Sequence, residues 1–250
     1  MTIPKLPEAL VRSRIFLWSL SSLFLLMVWD YSGLDLAMAH WFGSATGFSL
    51  NSHWLWRDAL HDDIHYLPWI LELALLLAIW KPFGTLKLLP TARRTQFALT
   101  TLVALLVVSY IKIHSRTSCP WDLKQFGGVA TYVSHWAWGI EDGGSGRCFP
   151  AGHASAGFAF VGGYFAFRHH LPQTARRWLV GAMLVGFVFG FSQQVRGAHY
   201  MSHTLWTAWF CWTAAATVDF GVSQWILQKR LRAHARVPDL SVLTPLKPSE

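Results

Sequence analysis

Three short polar segments interrupt an otherwise apolar chain, and their residue types suit phosphate chemistry. The first runs Lys112-Ile-His-Ser-Arg116-Thr-Ser-Cys119-Pro120-Trp-Asp122. The second is Arg147-Cys-Phe-Pro150-Ala151-Gly152-His153-Ala-Ser155, and the third Gln193-Gln-Val-Arg196-Gly-Ala-His199-Tyr-Met-Ser-His203. Pro150-Ala-Gly-His153 reads as a helix start, where backbone N–H groups at Ala151 and Gly152 and a positive dipole end suit an anion. Lys112, Arg116 and Arg196, with Arg147 nearby, are candidate clamps for phosphate oxygens. His199 and His203 are four residues apart and share a helical face, so one ring can orient the other. Two catalytic histidines would then allow covalent catalysis: one attacks phosphorus to form a phosphohistidine, and the other protonates the leaving oxygen. If the cations and N–H groups offset the developing charge, neither a metal nor a cofactor is required. Each segment alone is a weak signal; their occurrence together, in order and at span ends, is what carries weight.

Taken together the segments resemble the type 2 phosphatidic acid phosphatase (PAP2) superfamily of lipid phosphatases and related acid phosphatases, over roughly Lys112 to His203. That family's pattern is Lys, six residues, Arg-Pro; then Pro-Ser-Gly-His; then Ser-Arg, five residues, His, three residues, Asp. Lys112 and Pro120 keep the first spacing, with Cys119 in the Arg slot. Pro150, Gly152 and His153 match the second, with Ala151 in place of Ser. His199 fits the nucleophile position, while Gln193 occupies the Arg slot and His203 replaces Asp. Arg116 and Arg196, each three positions from a missing arginine, are the candidates to compensate. His203 can accept a hydrogen bond from His199 but brings no full negative charge, so it stabilises a transient imidazolium less than Asp would. The resemblance implies a lipid phosphatase whose substrate is undecaprenyl diphosphate, phosphatidylglycerol phosphate, phosphatidate or a lipid A phosphate. A lipid-to-lipid phosphotransferase using the same site, or an inactive membrane protein or transporter with this fold, are the alternatives.

The elements that must position these segments are membrane helices. Apolar residues make up 53% of the 250 and charged residues only 14%, against about 25% charged in ordinary soluble domains. Fifteen Trp fit a chain with two membrane interfaces. Six stretches are apolar enough and roughly long enough to span: Ile15–Tyr31, Tyr66–Trp80, Phe97–Ile111, Gly152–Phe167, Trp178–Gln193 and Thr204–Leu227. The expected fold is therefore all-α, a polytopic helical bundle of about six transmembrane helices over residues 1–233, followed by a disordered cytoplasmic tail at 234–250. The net charge of +8 does not point to nucleic acid, because the basic residues sit in short clusters between apolar runs. A basic face toward anionic headgroups explains it better, so the expected partners are the bilayer and a membrane lipid phosphate. Lys and Arg concentrate in the N-terminus, the second and fourth loops and the tail. Both termini are thus expected in the cytoplasm, with the three polar segments on the other face, the periplasmic side of a bacterial inner membrane.

Several features outside the motifs carry their own expectations. The Trp- and His-rich stretch Ser32–His65 reads as one or two helices lying on the membrane surface. His61-Asp-Asp-Ile-His65 has metal-ligand spacing, but a solvated helix end is the preferred reading. Cys119 and Cys148 lie on the same expected side, either as a disulfide joining the first two segments or as two buried thiols. Cys211 reads as packing. Glu72 and Asp219 lie within spans, where charge is expensive; Glu72 is expected to face the bundle interior and Asp219 to pair with a tail cation.

Overall fold

The computed structural model describes residues 8–54, 66–137 and 139–235, and they are mostly helical. Helix α1 (Glu8–Tyr31) is followed by a short α2 (Leu34–Ala39) and a two-stranded hairpin, β1 (Gly43–Ser44) with β2 (Gly47–Phe48). Then come α3 (Leu67–Leu77), α4 (Thr91–His114), α5 (Ser155–Phe158), α6 (Gly162–Phe167), α7 (Pro172–Val195) and α8 (Met201–Ala235). A 3-10 turn at Ala159–Val161 joins α5 to α6, so the two form one rod. Proline marks where rods begin: Pro90 precedes α4 and Pro172 opens α7, positions where a missing N–H costs nothing.

Each of the six expected spans coincides with a helical rod, and the fold is a membrane-type helical bundle. Arg12–Tyr31, Thr91–His114 and Pro172–Val195 are long and apolar enough to cross a membrane. Leu67–Leu77 and Ser155–Phe167 are apolar but shorter. α8 has 35 residues, about 52 Å of helix at the usual rise, and mixes polar residues into its apolar run.

Small residues let the rods approach closely, as membrane helices require without a hydrophobic drive between them. A Cβ on Gly157 would lie 2.1 Å from the backbone N of Gly186, so α5 and α7 cross backbone to backbone. α7 meets α8 with Gly190 against the Thr204 side chain. Phe97, Phe158, Phe165 and Phe167 fill the core between α4, the α5–α6 rod and α7. α1 leans on α8 and leaves an apolar groove of about 840 Å³, walled by Trp18, Trp29, Trp209 and Trp212.

At one end of the bundle the rods are tied by buried charge. Asp219 of α8 takes Arg93 of α4 at 3.2 Å and Arg168, just past α6, at 2.6 Å, with Gln96 donating at 2.9 Å. The expectation that Asp219 pairs with a tail cation is thereby corrected: α8 turns its carboxylate inward, toward α4 and α6. Lys112 lies at the other end of α4, 19 residues from Arg93, or about 28 Å along the axis. Removing one partner of a buried pair strands the others. Asp219→Ala is therefore expected to cost about 3–5 kcal/mol of stability, read from denaturant unfolding in detergent.

The first loop does more than lie on a surface. Phe48 of its hairpin packs with Ala39, Leu123, Phe126 and Tyr200 in a second small core. Gly197 turns with φ +77°, and a Cβ there would strike the Phe48 ring at 2.4 Å, so only glycine admits this contact. Asp35 of α2 accepts the Ser202 N–H at 2.9 Å and so caps α8. Burial raises its carboxyl pKa, against the lowering effect of the Ser202 and Trp29 hydrogen bonds. His61 and His65, and the tail from 236 on, lie outside the described residues. Glu72 faces the bundle interior, 2% exposed, and neither oxygen has a hydrogen-bond partner among the described residues.

Candidate active site

The three polar segments meet at the end of α4. Lys112 stands in its last turn, and the lysine stem lies over Gly152: a Cβ there would be 3.3 Å from Lys112 Cδ. Beyond α4 the chain runs extended and pairs with the second segment, Arg147 N–H donating to Ser115 O (2.8 Å) and Cys148 N–H to Thr117 O (2.9 Å). The disulfide Cys119–Cys148 closes this pairing, so of the two readings open in the sequence the structure has the disulfide. Asp142 holds the strip from behind through Ser118 N (2.6 Å) and Oγ (2.7 Å). Trp121 N–H donates to Gly197 O at 3.0 Å and brings the third segment alongside.

His199 and His203 meet at this junction. Their Nδ1 atoms are 3.5 Å apart, and His199 Nδ1 is also 3.5 Å from Cys148 Sγ. His203 Nδ1 lies 3.0 Å from the carbonyl oxygen of Cys148, which can only accept, so a proton on that nitrogen satisfies the contact. His199 is 4% exposed. Burial first, and then the nearby charges of Lys112, His203 and His153, hold its pKa well below the usual imidazole range. A neutral imidazole is the form with a lone pair for phosphorus. A cavity of about 170 Å³ is lined by Lys112, Gly152 and His153 together with Trp69, Leu105 and Phe189, and neither His199 nor His203 is among its lining residues.

The depressed pKa of His199 also makes stability depend on pH. The unfolded chain binds a proton near pH 6.5, about the ordinary imidazole value, while the folded chain resists it. This contribution is complete above about pH 6.5 and is lost as pH falls toward the lower folded value. Thermal unfolding followed from pH 7.5 to 5 is expected to show stability falling with pH, and falling less steeply in His199→Gln.

Not every residue expected to hold phosphate lines this cavity. Lys112 and Gly152 do, together with His153. Arg116 is exposed and its guanidinium pairs with exposed Glu141 at 3.1 Å. Arg196 is buried, with Nε donating to Asn51 O (3.1 Å), a second nitrogen to Gln193 Oε1 (3.3 Å), and its guanidinium over Trp121. It ties the first loop to the end of α7, and Gln193, in the missing arginine's slot, is one of its anchors. Ala151 spends its N–H on His203 O (3.2 Å), which corrects the expectation of a free donor there. Sequence reasoning also passed over His135 and Asp30, which lie behind His203. Neither sits in a motif; Asp30 falls at the end of the first expected span, where a charge is expensive and was the signal available, whereas no local signal marks His135.

The sulfurs of Cys119 and Cys148 and a ring nitrogen of His199 lie within 4.8 Å of one another, close enough to suggest a metal site. Because the sulfurs are joined to each other, the thiolates that such a site would need are not available.

A helical bundle whose span ends gather a lysine, a Pro-Ala-Gly-His turn and a histidine pair belongs to a known class of phosphatase scaffolds. A family model for the PAP2 superfamily matches residues 94–226, more than half of the chain, and the chain belongs to that superfamily. A phosphatase-type function goes with that membership. No curated protein and no solved structure matches the chain.

Proposed function

We propose that this protein is an integral-membrane lipid phosphatase working through a phosphohistidine, on the membrane face opposite its basic loops. The observation that carries the reading is the convergence of Lys112, Gly152 and His153 on one cavity, with Lys112 and His153 near enough to buried His199 to act on its charge. In the proposed cycle His199 attacks phosphorus and the bond to the leaving oxygen breaks, with His153 giving that oxygen a proton. His153, now neutral, takes a proton from water; the water oxygen attacks the phosphohistidine and releases phosphate and free His199. His203 orients His199. Lys112 is the principal cation on the phosphate oxygens, since Arg116 and Arg196 have protein partners. The Gly152 N–H supports it, having no protein acceptor among the described residues. Trp69, Leu105 and Phe189 give the cavity an apolar wall through which lipid tails can remain in the bilayer. The substrate class is a lipid phosphate monoester or diphosphate: undecaprenyl diphosphate, phosphatidylglycerol phosphate, phosphatidate or a lipid A phosphate. The basic loops favour a bacterial inner membrane location with the site in the periplasm.

A second reading has one specific observation behind it. With Ala151 N–H and two arginines engaged elsewhere, the cavity keeps fewer phosphate ligands than the family pattern supplies, which suits a lipid-phosphate binder without turnover. Purified protein in nanodiscs, offered a panel of lipid phosphates with EDTA present, separates the two. Free phosphate that disappears in His199→Ala supports the phosphatase. Lipid binding without phosphate release supports the binder, and label passing to a second lipid marks a phosphotransferase. Release that needs an EDTA-sensitive metal counts against the metal-independent cycle.

A further inference from the structure

A buried acid–imidazole pair abuts the histidine pair from a helix outside the matched family region. Asp30 ends α1, and its side chain is 4% exposed. Its Oδ2 accepts from Trp136 Nε1 (2.8 Å) and Trp206 Nε1 (2.9 Å), and His135 Nε2 lies 3.4 Å away. The His135 ring stacks on Phe149, with centroids 4.2 Å apart and planes 7° from parallel, and stands edge-on to His203 at 5.6 Å. Phe149 is itself edge-on to His203 at 5.2 Å. A continuous line of buried groups therefore runs Asp30, His135, His203, His199.

Structural economy does not explain this line. A buried carboxylate is costly, and an apolar or amide side chain would fill the space without that cost. Two indole N–H groups satisfy Oδ2, but Oδ1 of Asp30 has no hydrogen-bond partner among the described residues, and an amide would serve the two donors without the charge. Meanwhile His203 stands where the family pattern has an aspartate beside the nucleophile, and that charge is missing from the motif itself.

We propose that Asp30, acting through His135, is a positioning dyad that supplies at one remove the negative charge absent at position 203. At 3.4 Å Asp30 meets His135 Nε2 as a close charge contact rather than a formed hydrogen bond, so it acts on that ring by charge, while the stack on Phe149 holds the ring against His203. The Cys148 carbonyl holds the proton on His203 Nδ1, and the Asp30 charge behind the His135 ring offsets positive charge arriving on the His199–His203 pair. The inference rests on the phosphatase reading of the site, but it makes a claim about His203 that can be read without turnover.

The test uses the full chain in detergent micelles, with dioleoyl phosphatidate in mixed micelles as the probe. Asp30→Asn keeps size and an acceptor for the two Trp donors. It is expected to lower kcat about ten- to a hundredfold with KM changed less than about twofold. In a His203→Asp background, where a carboxylate sits directly beside His199, Asp30→Asn is expected to change kcat less than about twofold. An equal loss in both backgrounds would mean a structural role and overturn the proposal. Independently of activity, nitrogen-15 histidine NMR should show the His203 tautomer ratio or titration midpoint moved by Asp30→Asn and left in place by Trp136→Phe. Unchanged His203 signals overturn the dyad. Moved signals in a wild-type protein that hydrolyses no lipid phosphate uphold the dyad and overturn the phosphatase reading alone. If Asp30→Asn does not fold, His135→Phe keeps the stack on Phe149, removes the contact to Asp30, and reads out the same way.

Discussion

His199→Ala is expected to lower kcat for lipid phosphate hydrolysis by on the order of 10⁵-fold, leaving no phosphohistidine to trap. Losses of that size follow when the atom that forms the covalent bond is removed, because the remaining groups cannot substitute for it. Burial and the surrounding positive charges keep this imidazole neutral and its lone pair available. Acid-labile, base-stable phosphate on the protein, caught by rapid quench during turnover, would be present in wild type and absent in the variant. His153→Ala should differ in kind: phosphohistidine is still expected to form from substrates with good leaving groups, because only the proton donor is gone. A variant lacking His199 that retained more than about a hundredth of the wild-type rate would exclude it as the nucleophile.

The second large effect concerns charge, and it separates this chain from its family's pattern. Lys112→Met is expected to lower kcat/KM by about 10²- to 10³-fold, the range seen when one preorganised group facing developing charge is lost. Arg116→Ala is expected to change it less than about threefold, because that guanidinium pairs with Glu141 at an exposed site where ion pairs contribute little. Arg196→Ala should lower thermal stability more than it alters catalysis by folded protein, since its donors hold Asn51 and Gln193. An Arg116→Ala loss as large as that of Lys112→Met would show that substrate draws Arg116 away from Glu141. The Michaelis parameters of the three variants against one lipid phosphate decide the matter.

Much of the bundle was legible because membrane helices declare themselves locally. A run of about twenty apolar residues has no soluble alternative, and a helix satisfies its backbone within the run itself. The rods at Thr91–His114 and Pro172–Val195 follow directly from this. The polar segments were legible for a different reason: Lys112, Gly152-His153 and His199 interrupt apolar runs, and their order along the chain matches a known pattern. The first loop was less legible. Its Trp and His content suggested surface helices, but Phe48 turned inward onto Phe126 and Tyr200, because the third loop offered an apolar surface that no local pattern reveals.

By itself, the sequence determined that the chain is a helical membrane protein and marked a candidate histidine-centred site at its span ends. Only the tertiary structure decided which charged groups pair with which. Asp219 was free on paper to choose any cation and took Arg93 and Arg168; Arg196 went to Gln193 and Asn51; Asp30 reached His135 across more than a hundred residues of chain. The physical reason is range. Helix formation and hydropathy are settled within a few turns of chain, whereas a buried charge is settled by whichever partner the packing of distant rods brings within about 4 Å.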